Sequence, residues 1–241
     1  MKPELLLLPG LTCDAEVWRH QTHALADCAT TLVPAWALRD DLGAMAEHAL
    51  SLTTQDPVWV AGHSMGGRVA LEMWRLAPQR IAGLALLDTG YQAMPPGRAG
   101  EAERRNRHNL LRIAERDGMR AMAEQWARGM VYKPHQDGPV FEAILAMLER
   151  AGPAQYAAQI QALMQRPDAT DLLPTITCPT LLLCGEHDGW SPPERHVDMA
   201  HAIGGHAQCI TIAHSGHMSP MEQPQAVSAA LRDWLAGASA P

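Results

Sequence analysis

The sequence predicts an α/β fold in which helices flank a mostly parallel sheet of about six strands. Short apolar runs alternate along the chain with longer segments whose apolar residues recur at helical spacing. The apolar runs are almost continuously hydrophobic, which is typical of strands buried on both faces of a parallel sheet. One long stretch of helical pattern interrupts the alternation, so we expect an insertion between two of the strands.

Six segments have the length and composition of buried strands. They are Glu4–Leu8, Thr30–Pro34, Pro57–Ala61, Ile81–Leu87, Thr180–Cys184 and Gln208–Ala213. Helices are predicted between and after these strands because apolar residues repeat there every three or four positions. The predicted helices are Ala15–Ala26, Leu42–Thr54, Met65–Ala77, Pro193–Ala202 and Gln225–Ala236. Right-handed crossover connections would distribute them over both faces of the sheet.

Residues 91–171 contain no strand pattern and are predicted to form a helical cap inserted between two sheet strands. The sequence Met-Pro-Pro-Gly at positions 94–97 ends the preceding pattern, and further glycines and prolines separate the helices. The predicted cap helices are Glu101–Arg116, Met119–Val131, Val140–Ala151 and Ala154–Gln165. Residues 1–90 and 172–241 would then form the core of the fold.

Length and charge restrict the class of protein. A chain of 241 residues, 47% of them hydrophobic, suits one domain or one domain with a modest insertion. The formal net charge is −7 and the basic residues are scattered. Because no stripe of lysine and arginine could follow a phosphate backbone, neither nucleic acid nor an anionic membrane surface is an expected partner. No apolar run approaches the roughly 20 residues that span a bilayer.

The cysteines and the first residues bear on the cellular compartment. The five cysteines are odd in number and far apart, and most adjoin apolar stretches where a free thiol acts as a small apolar group. A reduced, cytoplasmic protein is therefore predicted. The apolar run Leu5–Leu8 is short and is interrupted by Pro9 and Gly10, so we do not expect a signal peptide.

A Gly-x-Ser-x-Gly motif marks the candidate nucleophile. Residues 62–66 read Gly-His-Ser-Met-Gly, directly after an apolar β-branched run and before a helical pattern. A tight strand-to-helix turn needs small residues, and Gly62 and Gly66 allow a close approach of the chain to itself. The turn would present the Ser64 hydroxyl at the sheet edge, where the helix N-terminus favours developing negative charge. A serine that only caps the helix is the alternative.

A serine hydroxyl needs an adjacent base to act as a nucleophile at neutral pH. His217 is the candidate, because Gly216 and His217 follow the last predicted strand, in a loop that would reach the serine. His214 lies three residues earlier and is its rival. Most other histidines are predicted to lie exposed on helices or loops, namely His20, His48, His108, His135 and His196.

Two aspartates end predicted strands and compete for the role of the acid that orients the imidazole. Asp188 follows the strand Thr180–Cys184, and Asp88 follows the strand Ile81–Leu87. Both loops would lie on the same edge of a parallel sheet, so both side chains could reach the site. Asp188 gives the chain order Ser, Asp, His and lies in a turn that looks suited to position a side chain. Asp88 is then expected to be a structural cap or a pocket residue.

Acyl transfer also needs two N–H donors that stabilise the tetrahedral intermediate. The residue after the nucleophile, Met65, would supply one of them. The loop after the first strand, Pro9–Cys13, would supply the second, and Leu11 is the candidate because Gly10 permits the turn. An ordinary strand-ending turn is the alternative. Cys13 is not expected to act as a nucleophile, because nothing nearby would make it a thiolate.

Together these motifs resemble the α/β-hydrolase superfamily over essentially the whole chain. The shared features are Pro-Gly-Leu-Thr ahead of Val17, Gly-His-Ser-Met-Gly-Gly, Gly-x-x-Asp, and Gly-His ahead of Met-Glu-Gln-Pro. Small bacterial carboxylesterases and their capped relatives are the most similar members. The resemblance implies Ser-His-Asp acyl transfer with no metal and no organic cofactor. Two features depart from it: Pro9-Gly10 replaces the frequent His-Gly, and the usual leading hairpin is missing.

The cap and the catalytic loops suggest a substrate class. Thr12, Trp126, Trp190 and Met218 are candidate pocket residues, and the cap also carries several methionines, which adapt to irregular apolar shapes. The alternative for the methionines is packing between cap helices. Arginines begin one cap helix and could meet a substrate carboxylate, although a solvated basic face is the simpler interpretation. They are Arg98, Arg104, Arg105 and Arg107.

These features predict a serine hydrolase that cleaves esters, thioesters or lactones with small to medium apolar acyl or aryl groups. Lactone opening, C–C cleavage or acyl transfer on the same triad is the alternative, and a non-catalytic ligand-binding relative is a third possibility. No nucleotide-binding motif and no metal-ligand spacing is present. The protein could be a monomer or a homodimer.

Overall fold

The computed structural model describes residues 2–237, which contain one six-stranded sheet with all strands parallel. Along the sheet the strands follow the order β2-β1-β3-β4-β5-β6. This confirms the predicted fold class. The strands are β1 (Glu4–Leu8), β2 (Thr30–Leu32), β3 (Val58–His63), β4 (Ile81–Leu87), β5 (Thr180–Gly185) and β6 (Ala207–Ile212).

Helices connect the strands and cover the sheet. Their bounds are α1 (Arg19–Ala24), α2 (Leu42–Ser51), α3 (Met65–Leu76), α4 (Gly97–Asp117), α5 (Met119–Ala127), α6 (Pro139–Arg150), α7 (Pro153–Met164), α8 (Pro193–Ile203), α9 (Ser219–Glu222) and α10 (Pro224–Gly237). Among these residues no helix is long and apolar enough to cross a membrane.

The continuous apolar strands are explained by burial on both faces of the sheet. In β1, Leu6 and Leu8 pack into a core with side chains of α2, α3 and α8, while Leu5 and Leu7 pack into a second core with side chains of α10. All four leucines are fully buried. Alternation of side chains along a strand therefore supplies both cores from one run of leucines.

The predicted boundaries differ from the structure where local rules compete. The sequence predicts a strand over Thr30–Pro34, but β2 pairs with β1 only through Leu32. The helix predicted over Ala15–Ala26 starts as a 3₁₀ turn, with the side chain of Asp14 accepting from the amide of Glu16. Helix α4 starts at Gly97, earlier than predicted, and the short helix α9 was not predicted at all.

The turn between β3 and α3 brings three backbone segments into contact. A Cβ on Gly62 would lie 2.3 Å from the carbonyl oxygen of Gly66, and a Cβ on Gly66 would lie 2.1 Å from that of Leu8 in β1. Ser64, between the two glycines, has φ 54° and ψ −114°, a backbone conformation that residues other than glycine rarely adopt. Only glycine fits at positions 62 and 66, because the obstacle in each case is backbone.

We expect Gly66→Ala to lower the free energy of unfolding by about 1–3 kcal/mol or more, because the new methyl group forces β1 away from α3. Urea denaturation measures the change. Gly205→Ala is the matched control, since a Cβ there meets nothing within 4 Å. Equal stability of the two variants would contradict the close approach of β1, β3 and α3.

Candidate active site

Ser64 stands at the carboxyl end of β3, where the chain turns into α3. Its amide donates to the carbonyl of Leu87 at 2.8 Å, which ties the turn to the neighbouring strand β4. Its own carbonyl accepts a hydrogen bond from the side chain of Thr89 at 2.6 Å. Two hydrogen bonds from the end of β4 thus support the strained turn, and the hydroxyl is left facing a cavity.

His217 lies in the loop between β6 and α9 and contacts Ser64. Its Nε2 is 2.8 Å from the Ser64 Oγ, and its Nδ1 is 2.8 Å from Oδ2 of Asp188. Because an ionised carboxylate only accepts hydrogen bonds, Nδ1 donates to Asp188 and Nε2 is free to accept from Ser64. The imidazole is buried.

Asp188 follows β5 and is fixed by the backbone of its own loop. Its Oδ1 accepts hydrogen bonds from the amides of Trp190 and Ser191, both at 2.9 Å. Its other oxygen is therefore directed at His217. The structure brings Ser64, His217 and Asp188 into one continuous chain of hydrogen bonds.

The two rival residues lie elsewhere. Oδ1 of Asp88 accepts from the amide of Gly185 at 2.9 Å, and its Oδ2 accepts from the hydroxyl of Ser219. This buried carboxylate thus joins β5 to the start of α9, and its Oδ2 lies 3.7 Å from Nε2 of His63. His214 is exposed, with its ring near Tyr132.

Charges around the imidazole shift the pKa of each partner. Burial alone would lower the pKa of His217, but the charge and hydrogen bond of Asp188 outweigh burial and raise it above the ordinary value. Burial alone would raise the pKa of Asp188, but His217 and the two backbone donors lower it to about 2. Burial raises the pKa of Asp88 well above its usual range, and the nearby charge of Asp188 raises it further.

Glu222 fixes the loop that carries His217, and sequence analysis gave it no role. Its Oε1 accepts from the amides of Gly216 and Met218 at 3.0 and 3.1 Å. Its Oε2 accepts from the amide of Tyr132 at 2.9 Å and lies 3.1 Å from Nδ1 of His135. The carboxylate is buried. It was the only acidic residue between β6 and α10, which is the one signal that could have identified it.

The two candidate oxyanion donors adjoin the serine. Leu11 and Met65 line the same cavity as Ser64, and within residues 2–237 no group accepts a hydrogen bond from either amide. Trp36 anchors the loop of Leu11 by donating to the carbonyl of Pro9 at 2.9 Å. A Cβ on Gly10 would lie 3.3 Å from the Ser64 Cβ, so this loop passes directly beside the serine.

A cavity of about 1150 Å³ opens onto Ser64 and His217. Three of the four candidate pocket residues line it, namely Trp126, Trp190 and Met218. The prediction for Thr12 is wrong: its side chain bonds to the carbonyl of Leu11, and its amide donates to Gln159 at 2.7 Å, so it is buried behind the lining. Cys13 does line the cavity, and burial raises the pKa of its thiol to about 12.

Aromatic rings and arginines form different parts of the lining. Trp126 stacks on Trp190 with ring centroids 5.4 Å apart, and Trp190 lies 5.1 Å from the His217 ring. Of the four arginines that begin α4, only Arg107 lines the cavity. Three arginines that the sequence analysis did not single out line it too, namely Arg68, Arg166 and Arg195. Within residues 2–237 no cluster of three metal-ligating side chains occurs.

Comparison with known proteins identifies the family. A sequence model described as "Alpha/beta hydrolase family" matches residues 5–230. The chain belongs to this family. An esterase from Thermogutta terrifontis, solved with malate bound, is 32% identical and superposes with a TM-score of 0.86, covering 99% of this chain and 91% of that one. This α/β hydrolase therefore shares both fold and sequence with an esterase.

Curated relatives of this α/β hydrolase differ in reaction. A 2-succinyl-6-hydroxy-2,4-cyclohexadiene-1-carboxylate synthase from Klebsiella pneumoniae is 27% identical, over 97% of this chain and 94% of the relative. A pimeloyl-[acyl-carrier protein] methyl ester esterase from Stenotrophomonas maltophilia is 27% identical, over 98% and 94%.

The pKa shifts around the imidazole can be tested directly. In an NMR titration of the histidine rings of this hydrolase, we expect His217 to titrate above the ordinary value of 6.5. We expect His63, whose pKa burial lowers to about 3, to stay neutral down to about that pH. Asp188→Asn should lower the pKa of His217, because the charge that favours the imidazolium is gone.

Asp40→Asn, which removes an exposed carboxylate, is the control and should leave the pKa of His217 unchanged. An unchanged His217 pKa in Asp188→Asn would contradict the electrostatic coupling between the Asp188 carboxylate and the His217 imidazole.

Proposed function

We propose that this protein is a serine hydrolase that cleaves carboxylic esters of small to medium apolar acyl or aryl groups through an acyl-enzyme. The observation that carries the proposal is the chain of two 2.8 Å hydrogen bonds from Ser64 through His217 to Asp188, open to a cavity. In this arrangement a weak hydroxyl nucleophile has an adjacent base, and the base has a fixed orientation.

Each group would have a defined role. The Ser64 Oγ attacks the ester carbonyl carbon while Nε2 of His217 takes its proton. The tetrahedral intermediate collapses, the imidazolium returns the proton to the leaving alkoxide, and the alcohol departs from an acyl-serine. Water, activated by the same imidazole, then releases the acid. Asp188 stabilises the imidazolium in both halves of the reaction.

The amides of Leu11 and Met65 would donate to the oxyanion of each intermediate. Both line the cavity and neither has an acceptor among the described residues, which supports this role. Removal of one such donor typically costs a few kcal/mol of transition-state stabilisation. Pro9 in place of the frequent histidine does not remove the donor, because the donor is the amide of Leu11, and Trp36 anchors the same loop at the carbonyl of Pro9.

We further propose that α4–α7 act as a cap over the site. Side chains from this insertion, including Leu110, Trp126 and Tyr156, line the cavity into which Ser64 opens. Trp126 and Trp190 would contact the apolar part of the substrate, Met218 would line the pocket, and a cytoplasmic location would suit the five free thiols.

A second candidate is another reaction on the same three residues, such as lactone opening or C–C cleavage. The similarity to a carboxylate synthase over 97% of the chain favours keeping this candidate. Turnover of simple esters separates the two, because an ester hydrolase accepts them and an enzyme specialised for another bond does not.

The first prediction concerns turnover. We expect hydrolysis of p-nitrophenyl esters, from acetate to decanoate, with a preferred acyl length set by the cavity. Ser64→Ala should lower kcat/KM by at least about 10⁴-fold, since no other nucleophile replaces the hydroxyl. Its far-UV circular dichroism should match the wild type. Full activity in Ser64→Ala would exclude the mechanism.

The second prediction separates the two buried aspartates. Asp188→Asn should lower kcat by about 10²–10⁴-fold, because asparagine cannot stabilise the imidazolium and favours the wrong tautomer. Asp88→Asn should lower kcat by less than about 10-fold, since Asp88 is hydrogen-bonded to Gly185 and Ser219, whereas Nδ1 of His217 is bonded to Asp188. A larger loss at Asp88 would assign the acid to that residue instead.

A further inference from the structure

The cavity beside Ser64 has a positive wall in a protein of negative net charge. Four arginines line the cavity against two carboxylates, those of Glu103 and Asp168, although the whole chain carries a formal charge of −7. The arginines are Arg68, Arg107, Arg166 and Arg195. Excess positive charge in a cavity attracts anions.

Two of the arginines share one carboxylate partner within the protein. Glu103 in α4 accepts from Nη1 and Nη2 of Arg166 at 2.7 and 2.8 Å, and from Nη2 of Arg107 at 2.8 Å. These bonds and the two positive charges lower the pKa of Glu103 to about 2 although burial opposes the shift. This group of three side chains is a structural ion-pair network.

The other two arginines have no ion-pair partner within residues 2–237. Nη1 of Arg68 donates to the carbonyl of Gln92 at 2.8 Å, and Nη1 of Arg195 donates to that of Trp190 at 2.7 Å. A guanidinium has five N–H groups, so several donors on each remain for a ligand. Asp168 faces the same wall but accepts from the amides of Ala93 and Thr170 instead.

Arg68 and Arg195 converge on one point. A Cβ built on Gly90 would lie 2.9 Å from Nη2 of Arg68 and 3.4 Å from Nη1 of Arg195. Two unpaired guanidinium groups that reach the same point repel each other. Burial, together with the charges of the other three arginines, lowers the pKa of Arg68 to about 9, so the group remains charged at neutral pH but gains from a counter-ion.

The pair also has a fixed relation to the nucleophile. Arg68 lies in the first turn of α3, and its amide donates to the carbonyl of Ser64 at 3.4 Å, so the helical rise places the two residues about 6 Å apart along the helix axis. Both line the same cavity. An anion bound at Arg68 would therefore lie within one short acyl chain of the Ser64 hydroxyl.

We propose that Arg68 and Arg195 bind a free carboxylate of the substrate, so that the ester cleaved at Ser64 is a half-ester of a dicarboxylic acid. The inference rests on the proposed function and narrows its substrate class to esters whose short acyl chain ends in a free carboxylate. A planar guanidinium pairs with both oxygens of a carboxylate, and two such groups around one point supply the donors for one anion. The substrate carboxylate would then be the counter-ion that Arg68 and Arg195 do not have within residues 2–237.

The test compares monomethyl with dimethyl esters of succinate, glutarate and adipate, which differ only in the free acid group. Wild-type protein should show a higher kcat/KM for the monomethyl ester of the preferred length. Arg68→Gln should lower kcat/KM for that ester by about 10–100-fold, the range expected for charge-assisted hydrogen bonds, and change it for the dimethyl ester by less than about 3-fold.

Two further variants serve as controls. Arg104→Gln removes the same charge from an exposed arginine that does not line the cavity, and should leave the preference for the monomethyl ester unchanged. Gly90→Ala keeps both charges but puts a methyl group at their meeting point, and should weaken the preference, since only flexible side-chain ends must move. An equal loss for both esters in Arg68→Gln would overturn the carboxylate site.

Binding to Ser64→Ala separates this inference from the proposed function. Calorimetric titration with monomethyl adipate and monomethyl glutarate should detect binding that weakens at high salt and is lost in Ser64→Ala/Arg68→Gln, whereas the dimethyl esters should bind more weakly. This result supports the carboxylate site even if no ester is hydrolysed. Equal binding of anionic and neutral esters, or binding of neither, overturns it.

Discussion

The close approach of β1, β3 and α3 at Gly62 and Gly66 determines where the other parts of the site can lie. The backbone at Gly62 and Gly66 lies so close to neighbouring backbone that no Cβ would fit, so α3 begins directly against the sheet. Ser64 is held in a backbone conformation that residues other than glycine rarely adopt. Bonds to Leu87 and from Thr89 maintain this conformation from the β4 side. The loops that follow β1, β5 and β6 then bring Leu11, Asp188 and His217 to the same edge of the sheet.

Two buried carboxylates near one imidazole have opposite environments. Asp188 is ionised because its two backbone donors and His217 all favour the charge. Asp88 accepts from Gly185 and Ser219, and both burial and the charge of Asp188 disfavour its ionisation. The two aspartates therefore differ in charge and in position. The ionised Asp188 faces the imidazole, and the carboxyl group of Asp88 links β5 to the helix after His217.

The sequence predicted most of the fold because the four central strands, β1, β3, β4 and β5, are almost fully buried and mainly apolar. It identified Ser64, His217 and Asp188 as candidates because each follows a strand in a parallel sheet. It preferred Asp188 to Asp88 on chain order and on the turn around Asp188, since both residues follow a strand and only side-chain contacts distinguish them directly. His196, expected to be exposed, is buried and accepts from the amide of Thr89, so that prediction was wrong. The positive wall was missed because its arginines come from separate segments, although Arg68 lies one turn after Ser64 and could have been noticed.

The bonds of Glu222 join residues 130–135 of the α4–α7 insertion to the loop that carries His217. Met130 accepts from the amide of His217 at 2.7 Å, and a Cβ on Gly216 would lie 2.4 Å from the same carbonyl oxygen. Any hinge motion that lifted this segment would withdraw the imidazole from Ser64 at the same time. Residues 130–135 are therefore the part of the insertion on which the position of His217 depends.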